Sequence, residues 1–388
     1  MRVDCSLEMA LQNGLPMQAA TAYRLLADLR DFKADYEGAR DAHLRAISFC
    51  RQKGTVSEEH MCLGCLGYAL FRTGQWKKAI ENAREVLIDE DALPVARAAV
   101  AVVPAMISVL RGERRHANAR LADALVELRA NNVVTLEFLV LWVRGIMADF
   151  EGNHPLAAEQ YRELFSLWHE TEDRMFAVPG VVSAAGFYAD RGDCANLATC
   201  CEILGVIAQE NRNEETRAAS QGVLAETAWC NGDLPSAVAL MREAVDGYDR
   251  VGTALEMVFL RRRLVLMLGA WGQPVEAQEK RGEASELARR LGLRPFLDFL
   301  QPDATLAASL HSKCVSRPAS AIGLTPRQLT ILNFIAKGLT NKEVASYLNL
   351  SARTVEMHVA LALERLNCRT RSEAVSRAAF LGLLRIKD

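Results

Sequence analysis

Side chains able to read a polar surface without breaking a bond are concentrated between residues 341 and 371. The stretch SARTVEMHV, residues 351–359, sets Ser351, Arg353, Thr354, Glu356, Met357 and His358 within little more than two turns, and Ala360 follows. Asn341 and Lys342 precede it; Arg369 and Arg371 come after. Cations and hydroxyls at this density suit phosphate oxygens, which position a protein on a duplex. The carboxylate in their midst suits another target, because Glu accepts from cytosine N4 in a major groove while it repels phosphate. Glu356 is therefore compatible with a polyanion partner if Arg353, Lys342, Arg369 and Arg371 outweigh it. The same spacing allows a blander role, an i−3 ion pair with Arg353 contributing a few tenths of a kcal/mol. His358 reads either as a contact or as a packing residue at the helix edge.

Covalent chemistry has no comparable signal. GxxxxGK[ST], GxSxG and HExxH do not occur, and the seven His are dispersed. HMCLGC brings His60, Cys62 and Cys65 together, but a metal needs a further ligand and no second CxxC exists, so packing is the expected role. Cys200 and Cys201 point about 100° apart on a helix and do not share one site. No enzyme activity, cofactor or metal is expected. The five Trp read as core or as the lining of a ligand groove. The opening MRVDCSLEMALQNG lacks a basic segment followed by an apolar run, so no signal peptide is expected. No apolar stretch reaches the ~18 residues of a membrane span. Ten scattered Cys then read as reduced thiols in a cytoplasmic protein.

The elements that must position the cationic residues are short helices. LTPRQ, GLTNKE and TRSE hold three capping boxes, at 325–328, 340–343 and 370–373, each pairing a Thr N-cap with Gln or Glu three residues on. Pro326 fits a first helical position and Gly338 a helix end. Helices are expected at 326–337, 341–348, 352–366 and 371–381. The second and third are separated by Asn349, Leu350 and Ser351, the spacing of a helix-turn-helix. On the third, Val355, Val359, Ala362 and Leu366 face inward, with Arg353, Met357, Ala360 and Glu364 opposite. From Ser320 onward ten Lys/Arg face five Asp/Glu, a charge of +5; the whole chain is −2, which leaves −7 on the rest. A basic tail on an acidic body points to a polyanion for the tail alone.

LTPRQ, GLTNKEVA, LNLSARTVEMHV, ERLNCRTRSEAV and LGLL resemble, in order and spacing, the LuxR/FixJ-type DNA-binding domain over about 65 residues. The resemblance implies a four-helix domain that binds double-stranded promoter DNA, often as a homodimer through its last helix. It implies backbone contacts from Lys342, Thr354 and His358, and base-facing positions for Glu356, Met357 and Ala360. Met357 and Ala360 depart from the Lys or Arg carried by many members, which leaves affinity and target sequence open.

The body is repetitive. Turn-like clusters begin at Ala34, Gly74, Gly112, Gly152, Gly192, Gly232 and Gly272, in steps of 40, 38, 40, 40, 40 and 40 residues. Seven residues before each lies a small residue (Ala27, Gly67, Ala105, Gly145, Ala185, Ala225, with Val265 the exception). Five residues after each lies another: Ala39, Ala79, Ala117, Ala157, Ala237 and Ala277, with Leu197 the exception. Small side chains at fixed places on two helices let their backbones pack closely. The pattern resembles tetratricopeptide repeats, and its longer unit is more similar to the helical repeats of MalT-like, ATP-dependent LuxR relatives. The expectation is an all-α chain: an α-solenoid of about seven hairpins over 1–300, a linker at 301–322 and a helix-turn-helix domain at 323–388. Such a solenoid offers a concave surface to a small molecule, peptide or protein effector. An interaction scaffold, or a fragment of a larger ATP-dependent activator lacking its NTPase domain, are the rival readings.

Overall fold

The computed structural model describes residues 2–171, 174–297, 324, 326–348, 350–366, 368 and 370–380. Every regular element among them is helical. The body contains α1 (Arg2–Gln12), α2 (Pro16–Asp31), α3 (Tyr36–Lys53), α4 (Val56–Arg72), α5 (Trp76–Leu87), α6 (Pro94–Leu110), α7 (Arg114–Ala130) and α8 (Val134–Phe150). It continues with α9 (His154–Leu167), α10 (Val178–Ala189), α11 (Cys194–Glu210), α12 (Glu214–Cys230), α13 (Leu234–Val251), α14 (Ala254–Ala270), α15 (Pro274–Leu291) and the short α16 (Arg294–Leu297). The tail holds α17 (Pro326–Ala336), α18 (Asn341–Leu348), α19 (Ala352–Arg365) and α20 (Arg371–Phe380).

The turn residues explain the hairpins. Gly74, Gly112, Gly152, Gly192, Gly232 and Gly272 all have φ between +63° and +90°, the left-handed conformation that closes a helix and turns the chain back. Ala34 occupies the equivalent place with φ +59°, which costs an L-residue strain that glycine avoids. A second set joins one hairpin to the next: Gly14, Gly54, Gly252 and Gly292 also have positive φ, and Asn132 has +54°. The small residues on either side are buried: Ala27, Ala39, Ala79, Ala157, Ala185, Ala225 and Ala237 are all 0% exposed. Consecutive helices pack in pairs, and α2, α4, α6, α8, α10 and α12 form a row in which each touches the next.

A linear array, in which each unit touches only its neighbours, does not describe this body. The row curls until its beginning meets its end. Arg72, at the C-terminus of α4, donates through Nη2 to Glu215 of α12 at 2.5 Å and to Glu256 of α14 at 2.9 Å. The Tyr36 hydroxyl donates to the other Glu215 oxygen at 2.6 Å. Asn213 donates to the Phe32 carbonyl at 2.8 Å, and Arg111 to that of Leu291 at 3.1 Å. Gly74 lies so close to α14 that a Cβ there would meet that of Ala254 at 2.8 Å. Arg72, Glu215 and Glu256 are 1%, 0% and 4% exposed, so the clasp is a desolvated ion cluster. Burial pushes Arg72 down, but Glu215 and Glu256 outweigh it and hold the guanidinium well above its ordinary value.

The expected open concave surface is thus partly filled by the chain itself. A cavity of ≈ 310 Å³ remains between α2, α4, α6 and α8, and a smaller one of ≈ 80 Å³ lies beside Trp142 and Arg263. Trp76, Trp142 and Trp229 are core residues, at most 1% exposed; Trp271 is 37% exposed. The expected linker at 301–322, Gly323 and the LGLL segment lie outside the described residues.

Candidate nucleic-acid interface

The tail helices begin where their capping side chains put them. The Thr340 amide donates to Glu343 at 2.7 Å while the Glu343 amide donates back to the Thr340 hydroxyl at 3.4 Å. Thr370 and Glu373 repeat the exchange, 3.2 Å in each direction. The third box is only partly covered, since Thr325 lies outside the described residues. Gly338, at φ +85°, releases the chain from α17. These bounds lie within one residue of those expected from sequence.

Two small apolar clusters hold the helices at fixed angles. Ile331, Ile335, Val344, Val355 and Val359 join α17 and α18 to the first half of α19. Leu324, Leu332, Ala362, Leu366, Ala374 and Ala378 join α17, the second half of α19 and α20. Val355, Val359, Ala362 and Leu366 are at most 8% exposed, the inward stripe of a helix whose opposite side is left to solvent.

On that opposite side Arg353, Glu356, Met357 and Ala360 are exposed, Met357 by 53%. Lys342 is exposed at the start of α18, so the N-termini of both helices present cations. No ion pair joins Arg353 to Glu356 among the described residues, so the blander role for this carboxylate is not realised here. Ser351 caps α19, its hydroxyl accepting from the Thr354 amide at 3.0 Å and meeting the Thr354 hydroxyl at 2.6 Å. Thr354 and His358 are half-buried at the helix flank. Asn341 is half-buried, with an unpartnered side-chain oxygen. Arg371 is exposed and reaches back to the Leu339 carbonyl at 3.3 Å. Arg369, the remaining site residue expected from sequence, lies outside the described residues.

Sequence reasoning missed Tyr347, an aromatic side chain 72% exposed on α18 and stacked on Phe334 at 5.6 Å between centroids. Its signal was a Tyr among small and polar neighbours in a short helix. It also missed that α20 meets the body: Ala198 of α11 joins the second tail cluster, and Arg377 pairs with Glu202 at 3.2 Å. The exposed side of α19 takes no part in these contacts.

Residues 323–378 match the family model described as bacterial regulatory proteins, luxR family. The tail is therefore a LuxR-family helix-turn-helix domain. Curated relatives include the tetrathionate response regulatory protein TtrR of Salmonella typhimurium, 28% identical over 136 residues, which are 34% of this chain and 61% of that protein. The response regulatory protein YgeK of Escherichia coli is 36% identical over 97 residues, 24% of this chain and 66% of its own. The nitrate/nitrite response regulator NarP of the same organism is 47% identical over 51 residues, 13% and 24% of the two chains. The chain thus spans less than two thirds of the length of each of these three relatives. No helix among the described residues is long and apolar enough to cross a membrane.

Proposed function

We propose that this chain is a bacterial transcriptional regulator whose tail lays α19 in the major groove of promoter DNA. The reading is carried by one observation: the side of α19 bearing Arg353, Glu356, Met357 and Ala360 is open to solvent, with three residues between α18 and α19, in a domain of the luxR family. Lys342 and Arg353 take phosphates, and Arg369 and Arg371 add positive charge to the same domain; Glu356 accepts from a cytosine, and Met357 and Ala360 offer apolar contact to a thymine methyl. With few cations in reach, one domain binds weakly, and pairing of two copies through α20 supplies the rest. Because α20 also touches α11, pairing and docking on the body compete for one surface, which gives the body a means of control.

The body is the sensing part in this reading. Its ≈ 310 Å³ cavity is at the lower end of the ~300–1,000 Å³ of small-molecule pockets. Aromatic and aliphatic walls from Tyr68, Phe176 and Val103 meet polar groups at one end.

The test is selection of duplexes from random sequence by the full chain, then affinity against salt concentration. Neutralising two phosphate contacts in Lys342→Ala/Arg353→Ala lowers the slope of log K against log salt by about 2, at about 0.9 per phosphate. A full chain that ignores duplexes at low ionic strength, or a double variant with unchanged affinity and slope, refutes the reading.

A further inference from the structure

Four potential metal-donor side chains from three helices converge at the polar end of the larger cavity. Asp28 and Asp31 lie one turn apart at the end of α2, His43 is fully buried on α3, and Cys65 stands on α4. His43 Nε2 is 3.1 Å from Asp31 Oδ2 and 3.8 Å from Asp28 Oδ1. The donor atoms of Asp28, His43 and Cys65 all lie within 4.8 Å of one another. We propose that Asp28, His43 and Cys65, with Asp31, form a binding site for a thiophilic divalent transition metal, with Zn²⁺ as its reference ion. The proposal stands whether or not the tail binds DNA.

The spacing fits. Metal–nitrogen and metal–oxygen bonds of about 2.0–2.2 Å set tetrahedral donors about 3.4 Å apart, and the two measured separations bracket that value. The donor set chooses the ion: thiolate and imidazole select zinc-like metals, whereas calcium and magnesium take oxygen cages. The charge favours a cation. A dication offsets most of the charge of two carboxylates and one thiolate, and Arg24, which also pairs with Glu58 at 3.1 Å, holds Asp28 Oδ2 at 2.9 Å, leaving Oδ1 turned toward His43.

A satisfied hydrogen-bonded core cluster explains less. The buried oxygen Asp31 Oδ1 has no hydrogen-bond partner. A metal takes it as the second oxygen of a bidentate carboxylate. Asp28, Asp31 and Cys65 all line the cavity, which is the route of entry; on binding, the Cys65 proton leaves to solvent as sulfur bonds the metal.

The test uses the full chain, stripped with chelator and titrated with Co²⁺ and then Zn²⁺. One Co²⁺ per chain is expected, with intense tetrahedral d–d absorption and a thiolate-to-cobalt charge-transfer band, both erased by Zn²⁺. Cys65→Ser removes the charge-transfer band; Cys62→Ser, a buried neighbour outside the cluster, keeps it. His43→Gln weakens binding at least tenfold, and Arg24→Lys, which alters the group that holds Asp28 and Glu58 without touching a donor atom, weakens it 10–100-fold. Circular dichroism confirms that each variant is folded. Absence of the band in the unaltered chain, or its survival in folded Cys65→Ser, overturns the assignment.

Discussion

Replacing Arg72 by Met deletes the cation that joins the start of the body to its end. The guanidinium donates to Tyr68, Glu215 and Glu256 and lies over the Tyr36 ring at 4.8 Å. Methionine keeps much of the volume, so the cavity left is small and electrostatics dominate. Two carboxylates, 0% and 4% exposed, then face each other without a counter-ion. Removing one partner of a buried ion cluster costs about 3–5 kcal/mol. At roughly 2 °C per kcal/mol for a body of this size, melting falls by about 6–10 °C. The pH dependence gives the sign. Burial already holds Glu256 above its ordinary value even though Arg72 opposes it. Without Arg72 its folded pKa rises further, and a raised acid contributes stability below its unfolded pKa that is lost as pH rises through the folded one. The penalty is therefore small near pH 4 and larger near pH 7.5. Denaturant unfolding at both pH values measures it, and Arg72→Met/Glu215→Gln/Glu256→Gln should regain most of the loss. A penalty below about 1 kcal/mol, or one that does not change with pH, refutes the view that this cluster holds the body closed.

Three further outcomes follow from the packing. Gly247→Ala destabilises by about 1–3 kcal/mol, because its Cβ would sit 2.6 Å from that of Ala218 on α12, whereas Gly205→Ala, with nothing within 4 Å, stabilises by about 0.5–1 kcal/mol; paired chemical denaturation distinguishes them. Ser351→Ala removes the cap of α19 at about 1 kcal/mol, seen as roughly fivefold faster hydrogen exchange at the Thr354 amide. Burial raises Glu226 above the usual 4.5, against the pull of Arg263, so its contribution is present below pH 4.5 and lost as pH rises through the raised value. Unfolding free energies at pH 4 and 7 should therefore show the advantage of the native chain over Glu226→Gln shrinking upward.

How much of this was legible follows from sequence separation. Caps and turns act over three to five residues, so the Thr340 and Thr370 boxes, Gly338 and the turn glycines could be read directly, and the tail helices with them. The inward stripe of α19 needed only the helical period. Gly54 and Gly252 were equally readable as turns, but their unit boundary is less regular and was not read. The clasp was not legible, because Arg72 and Glu256 are 184 residues apart and each looks like a charge on an amphipathic helix. The acid–histidine–thiol cluster is illegible for the same reason: the chain neighbours of Cys65 are not its partners, and its companions arrive from two other helices. The exposure of Glu356 was expected, and what needed coordinates was the absence of its pairing with Arg353.

The join between Arg72 and α12 and α14 also bears on how such a chain can evolve. An open stack can gain or shed a forty-residue module by unequal duplication, since each new module finds the same neighbours. Here an inserted or deleted module would change the distance around the curl and carry Glu215 and Glu256 away from Arg72. Copy number is thereby frozen, and variation in this lineage should run through substitution inside modules rather than through their number.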